Sequence, residues 1–223
     1  EYYSGKIFVD ATYEGDLGAA AHVPYRIGRE ARWEYNEPGA GRTYEYWKSD
    51  PAEGSTGDAD NAVQAYNYRL CLISDPSQRA PFIKPENYNR EEFASLVEDV
   101  WTGRNTWKMM RGVTKEMMEA NRKAIQNGGK STLPGDGWGI LKLVTINTLP
   151  NGKTDANNQH AAFISTDLPE ENWPWPTSSW EWRDKFAKRL KDYTLGLFWF
   201  AQNDEALPQS LSLIHISEPT RPY

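Results

Sequence analysis

The densest group of polar side chains lies in residues 153–160, directly after an apolar run. Seven of these eight residues carry polar side chains. Lys153 offers a cation, Asp155 an acid or an orienting group, and His160 a proton carrier, while Asn157 and Asn158 offer amides for hydrogen bonds. Because α/β proteins build their sites on polar loops at strand ends, this segment is a candidate functional site.

A plain turn is the alternative for the same segment. Asn151-Gly152 is a pair typical of tight turns, and Asp and Asn favour loops without any ligand. A turn requires about two to four such residues, however, and not eight. We therefore expect a site here.

Two long strands are predicted to position these side chains. Residues 62–73 are rich in β-branched and aromatic side chains, and residues 139–149 lead into the polar segment. A period of two places Asn67 and Arg69 on one face of the first strand. A buried guanidinium requires an anionic partner, which is either a ligand or an internal Asp or Glu. Of these two, the internal ion pair is favoured.

Helices are predicted at four places from capping residues, glycine stops and apolar spacing. Their ranges are 14–21, 89–101, 114–127 and 178–203. The last carries one wide apolar stripe that includes Phe186, Leu197 and Phe200. Residues 6–10 are predicted as a buried strand, residues 23–27 as a second strand, and residues 36–61 as a loop or mobile lid.

Composition limits the classes of function. The chain has 223 residues, a net charge of −6, three histidines and one cysteine. The acidic balance argues against nucleic acid as a partner. No apolar run reaches the ~18 residues of a membrane span, and a single cysteine excludes an internal disulfide. No metal site is predicted, because no ligand spacing for one occurs and the acids of 36–61 do not follow the EF-hand pattern.

A cluster of tryptophans stands before and within the last predicted helix. Its members are Trp173, Trp175, Trp180 and Trp182. Stacking on a sugar is one interpretation, and packing of the helix entry is the other. Packing is favoured, because tryptophans flanked by proline commonly fix a loop to a core.

Several segments together resemble the FAD-dependent oxidoreductases. IFVDATYEGDLGAA at 7–20 is similar to the flavin-contacting segment commonly written DATGDGDLA, with Tyr13 in place of the usual glycine. VQAYNYRLCL at 63–72, PNGKTDANN at 150–158 and DYTLGLFWF at 192–200 resemble a strand, a polar loop and a long helix of one subfamily. That subfamily is glutathione-reductase-like, and some members carry a xanthan lyase label.

The resemblance implies an α/β fold with α+β character. We expect part of an FAD/NAD(P)-binding Rossmann-like domain at 1–35, the loop at 36–61, and a mixed-sheet substrate domain with packed helices at 62–210. The family's G-x-G-x-x-G fingerprint does not occur in 1–223 and is expected upstream. The chain is thus expected to be an internal part of a longer enzyme and inactive by itself.

The resemblance also implies FAD as cofactor and hydride exchange with a small substrate, for which a sugar derivative is a candidate. The residues expected at FAD are Asp10, Ala11, Thr12, Tyr13, Glu14, Gly15 and Asp16. Those expected to act in catalysis are Arg69, Lys153, Asp155 and His160, with Tyr66, Asn67, Thr154, Asn157 and Asn158 binding substrate. Arg69 or Lys153 would hold an anionic group, and His160 would be the acid or base. The alternative function is a carbohydrate-binding or polysaccharide-lyase-type protein that uses the tryptophans.

The last residues resemble something other than a protein family. LSLIHISEPTR at 211–221 is similar to the translation of a common sequencing adapter. We therefore predict that 211–223 is a non-native tail. An ordinary strand at 211–216 is the alternative.

Overall fold

The computed structural model describes residues 2–44, 51–73, 75, 77–102, 114–129, 143–158, 164–207 and 218–219. The chain divides into two compact units. Glu1–Ala65 and Pro169–Ser179 form the first, which we call the loop unit. Tyr66–Leu168 and Trp180–Tyr223 form the second, which we call the sheet unit. The domain boundaries expected from the sequence stay a prediction.

The loop unit contains short helical segments and much irregular backbone. Helix α1 spans Asp16–Ala20, helix α2 spans Arg32–Tyr35, and Trp175–Thr177 form a 3-10 turn. Helix α1 confirms the helix expected at 14–21 in a shorter form.

The strands predicted at 6–10 and 23–27 are wrong. Neither segment has a ladder partner among the described residues, and Ile7 and Val9 are 84% and 79% exposed. Apolar content alone does not make a strand, because the backbone N–H and C=O groups of a strand need a neighbour to pair with.

A clamp between Arg29 and Asp60 joins distant parts of the loop unit. The Arg29 amide donates to the Asp60 carbonyl at 2.9 Å, and the Asp60 amide donates back at 3.2 Å. The Arg29 guanidinium also donates to both carboxylate oxygens, with Nε at 2.8 Å from Oδ1. Gly28 precedes the clamp with φ 89°, and a Cβ there would lie 2.1 Å from the Asp60 carbonyl oxygen. This close approach therefore requires glycine.

The sheet unit contains a three-stranded antiparallel sheet. Its strands are β1 (Leu70–Ile73), β3 (Val144–Thr148) and β4 (Lys153–Asn158), in the order β1-β4-β3. Asn151 and Gly152 turn the chain between β3 and β4 with φ 63° and 70°. The turn that these two residues predict is thus confirmed. A separate pair joins β2 (Arg79–Ala80) to β5 (Glu218–Pro219).

The sheet corrects three expectations. The strand expected at 62–73 begins at Leu70, and Asn67 makes one isolated bridge to Asp167. The expected polar loop is the central strand β4 over residues 153–158, because its backbone pairs with a strand on each side. The described sheet is antiparallel throughout and not mixed. Residues 139–142 of the second expected strand lie outside the described ranges.

Three helices of the sheet unit correspond to the predicted ones. They are α3 (Ser95–Thr102), α4 (Lys115–Gln126) and α5 (Trp180–Asn203). The Thr114 hydroxyl accepts from the Met117 amide at the start of α4, as a capping residue does. The helix expected at 89–101 is split, because Asn89 caps a 3-10 turn at Arg90–Glu92 before α3 begins.

Helix α5 supplies much of the core of the sheet unit. The predicted apolar stripe is confirmed, and Leu197 and Phe200 are fully buried. The Phe93 ring lies 5.2 Å from the Tyr193 ring and 5.7 Å from the Phe200 ring, measured between centroids. A mixture of helices with a small antiparallel sheet is consistent with the α/β class with α+β character, whereas the Rossmann-like part stays a prediction. Among the helices that the structure describes, none combines the length and apolar character that a membrane crossing requires.

Replacing Leu197 with alanine tests this core. The side chain is 0% exposed, so Leu197→Ala leaves a cavity and should lower the free energy of unfolding by about 2–5 kcal/mol. Urea unfolding followed by far-UV circular dichroism measures the change. Asp184→Ala, at an exposed position of the same helix, should change it by less than about 0.5 kcal/mol. Equal losses in the two variants would contradict the assignment of the core.

Candidate functional site

The Asp10 carboxylate closes a turn over residues 10–18. Its Oδ1 accepts from the Thr12 amide at 3.0 Å and the Thr12 hydroxyl at 2.7 Å, and its Oδ2 accepts from the Gly18 amide at 2.9 Å. The Gly15 amide donates to the Thr12 hydroxyl at 3.1 Å. The hydrogen bonds from Thr12, followed by that from Gly18, lower the pKa of Asp10. Asp10 therefore acts on its own turn as an ionised acceptor.

The turn forms part of the wall of a cleft of about 310 Å³ within the loop unit. The lining includes five of the seven residues that the family resemblance assigns to FAD, namely Asp10, Thr12, Glu14, Gly15 and Asp16. Ala11 and Tyr13 do not line the cleft, and the Tyr13 side chain is fully exposed. We call this cavity the turn cleft.

The described lining of the turn cleft includes small residues and one cation, Arg26. Gly15, Gly18 and Ala19 line it, and a Cβ at Gly15 would meet no atom within 4 Å, so the backbone borders open space. Gly15 also has φ 69°, a conformation that glycine adopts without strain. Tyr25 and Ile27 contribute apolar surface.

A second cleft of about 570 Å³ shares Arg26 with the first. The clamp residues Arg29 and Asp60 line it, together with Glu30 and Glu34. The hydrogen bond from Arg29, acting against the burial that would raise the value, lowers the pKa of Asp60 to about 2.

The sheet unit brings two polar pairs together at β4. The Asn67 amide donates to Asn157 Oδ1, and the Arg69 guanidinium donates from Nε to Asp155 Oδ1 at 3.0 Å and from Nη2 to Oδ2 at 2.5 Å. Arg69 thus pairs with an internal aspartate, as the sequence analysis favoured over a ligand. Its side chain is 61% exposed, so the expectation of a buried guanidinium is wrong.

Of the other residues expected on the substrate side, Lys153 and Thr154 lie on the same strand. Lys153 is opposite Ile73 in the ladder and forms no ion pair with a described residue. The Thr154 hydroxyl donates to the Leu72 carbonyl at 3.4 Å, and Tyr66 is half-buried. His160, the expected acid or base, lies outside the described residues.

Asp167 is a polar residue that the sequence reasoning missed. Its Oδ2 accepts from the Asn158 amide at 2.7 Å, and its backbone bridges that of Asn67. Its Oδ1 is buried and has no hydrogen-bond partner in the part of the chain that the structure describes. Burial raises the pKa of Asp167, which the hydrogen bond from Asn158 offsets in part. No motif points to this position, because its backbone bridge to Asn67 joins segments far apart in sequence.

The tryptophans are divided between the units. Trp173 and Trp175 belong to the loop unit, and Trp180 and Trp182 belong to the sheet unit. Trp182 stacks on Phe186 with ring centroids 5.4 Å apart, which is a packing role, whereas Trp180 is 69% exposed beneath the Arg183 guanidinium. Within the described ranges, no group of three His, Cys, Asp or Glu side chains converges on a metal position.

A family model described as FAD dependent oxidoreductase matches residues 1–211. The match ends where the adapter-like stretch begins, and the origin of that stretch stays a prediction. The search of curated proteins and the search of solved structures found no match.

The turn cleft fits one part of an FAD molecule. Its volume is at the lower end of the range of roughly 300–1,000 Å³ for ligand pockets, so it can take one segment of a dinucleotide. Its glycines allow a close approach to the backbone, and the Thr12 hydroxyl and the acids can bind hydroxyl groups.

The free energy of unfolding in acid should depend on the clamp between Arg29 and Asp60. Because folding lowers the pKa of Asp60 from about 3.9 to about 2, its contribution is present above about pH 4 and is lost as the pH falls through about 2. Asp60→Asn should lower the free energy of unfolding at neutral pH by at most about 2 kcal/mol and flatten its dependence between about pH 4 and 2. Urea unfolding at several pH values measures this. The exposed neighbour Asp58, changed to asparagine, should change the free energy of unfolding at neutral pH by less than about 0.5 kcal/mol. An unchanged slope in Asp60→Asn would refute the clamp.

Asp167 should have the opposite pH dependence. Since burial raises its pKa in the folded state, its charged form opposes folding, and the free energy of unfolding falls as the pH rises above about 4. Asp167→Asn keeps an acceptor for Asn158 and should stabilise the protein at about pH 7 but not at about pH 4. Urea midpoints at the two pH values test this. Destabilisation at both would show that the carboxylate is a satisfied structural group.

Proposed function

Because a family model covers residues 1–211, the chain belongs to the FAD-dependent oxidoreductases, and we propose which of its residues serve cofactor and substrate. FAD is the cofactor, and the activity is a flavin redox reaction. The proposal assigns the turn cleft to part of FAD and the polar residues of β4 to a small substrate. The observation that supports it most is that five residues of the family-like segment line one cleft.

The chain's own residues would position the cofactor. Bound FAD supplies the hydride exchange, which protein side chains cannot perform. Asp10 holds the turn closed through its three hydrogen bonds, so it positions its neighbours. Gly15 and Gly18 keep side chains out of the cleft, and Glu14 and Asp16 offer carboxylates to hydroxyl groups of the cofactor.

The polar residues of β4 would recognise the substrate. Side chains alternate along a strand, so Lys153, Asp155 and Asn157 share one face. Arg69 is neutralised by Asp155, which leaves Lys153 as the better cation for an anionic group. The amides of Asn67 and Asn157 both donate and accept, which suits the hydroxyl groups of a sugar derivative.

When a hydride leaves a hydroxyl-bearing carbon, the hydroxyl group must lose a proton, and in the reverse reaction the oxygen must gain one. His160 stays the predicted acid or base for this step. Asp167 is a second candidate, because its carboxyl group is half-buried and only one of its oxygens has a partner among the described residues. The carbohydrate-binding alternative through the tryptophans stays a prediction as well.

Flavin binding tests the assignment of the turn cleft. Titrating FAD with a large excess of the 223-residue chain should quench or polarise the flavin fluorescence. Asp10→Ala removes three acceptor contacts and opens the turn, so it should weaken binding on the order of tenfold. Far-UV circular dichroism confirms that the variant remains folded.

The matched control is Glu53→Ala, an exposed acid of the loop unit that does not line the turn cleft. It should bind FAD as the wild type does. Equal affinities of Asp10→Ala and the wild type, or no binding by the wild type, would contradict the assignment.

A further inference from the structure

We propose that Arg26, which lines the turn cleft, binds a phosphate group of the cofactor there. This rests on the proposed function, since it requires that the turn cleft holds part of FAD. Arg26 is not among the residues that the family resemblance assigns to the cofactor. Its position in the folded loop unit, where it lines the turn cleft, identifies it instead.

The first argument is charge. Among the residues that the structure describes, the charged ones that line the turn cleft are Asp10, Glu14, Asp16 and Arg26. FAD carries a negatively charged pyrophosphate, which three carboxylates repel. Arg26 is the cationic position in this lining, so it determines where a phosphate can lie without an unfavourable charge contact.

The second argument is availability. Arg26 donates to Glu30 at 3.2 Å and also to Glu34, and its own side chain is 57% exposed. Exposed ion pairs of this kind contribute little, because water and salt screen them. A phosphate accepts two parallel N–H bonds from a guanidinium and can displace a surface carboxylate.

The third argument is that two neighbouring arginines, Arg29 and Arg42, are not available to a phosphate in the turn cleft. Arg29 is fixed by Asp60 through side-chain and backbone hydrogen bonds. Arg42 lies 3.6 Å from the same carboxylate and does not line the turn cleft. Of these three arginines, Arg26 is the one that lines the turn cleft and can exchange its carboxylate partners for a phosphate.

Three ligands separate a phosphate contact from a general effect. FAD and FMN carry phosphate, whereas riboflavin has the same ring and sugar alcohol without it. Arg26→Gln should weaken FAD and FMN binding on the order of tenfold and leave riboflavin binding unchanged. Flavin fluorescence with the protein in excess gives the three dissociation constants, and Arg42→Gln is the matched control that should change none of them.

A second variant predicts the opposite change. Glu34→Gln removes a competing carboxylate and a negative charge beside Arg26, so it should tighten FAD binding severalfold and leave riboflavin binding unchanged. This variant decides the question if Arg26→Gln does not fold.

The remaining outcomes overturn the proposal. Equal weakening of all three flavins by Arg26→Gln, no weakening at all, or unchanged FAD affinity in Glu34→Gln would each contradict a phosphate contact. A wild-type chain that binds riboflavin and FAD with the same affinity would do so too. A wild-type chain that binds no flavin refutes the proposed function itself, which distinguishes the two failures.

Discussion

The Asp10 carboxylate is the constraint on which the candidate cofactor site depends. It accepts the Thr12 amide, the Thr12 hydroxyl and the Gly18 amide, so both of its oxygens are used inside residues 10–18. These bonds fold an exposed segment into a turn. Gly15 then borders the cleft with bare backbone. Asp10 of the family-like segment therefore has a structural role, because it stabilises its own turn.

The sheet unit obtains its polar cluster in a different way. Strand β4 lies between two neighbours, and its register places Asp155 opposite Cys71 and Asn147. That register lets Arg69 reach Asp155. The cluster is therefore held by a sheet ladder. Asp167, which accepts from Asn158 at the end of this strand, is half-buried, and burial raises its pKa.

Local signals predicted the local structure of this chain. The φ values of Asn151 and Gly152, the cap at Thr114 and the stripe of α5 depend on residues a few positions apart, so a sequence reading finds them. The predictions from sequence missed the pairing between distant segments. Residues 6–10 have no strand partner within the described ranges, and β4 is a strand because two others flank it. The bridge between Asp167 and Asn67 follows from that folding and from no motif.

The central claim is that the turn cleft of the loop unit holds part of FAD. Backbone amide chemical shifts, recorded by NMR while FAD is added to the 223-residue chain, test it most directly because they report contact at each residue. The account predicts that the amides of Thr12, Gly15 and Gly18 shift in a saturable way, since all three donate within or beside the turn. Unchanged shifts at these three amides, with saturable shifts confined to other residues, would contradict it.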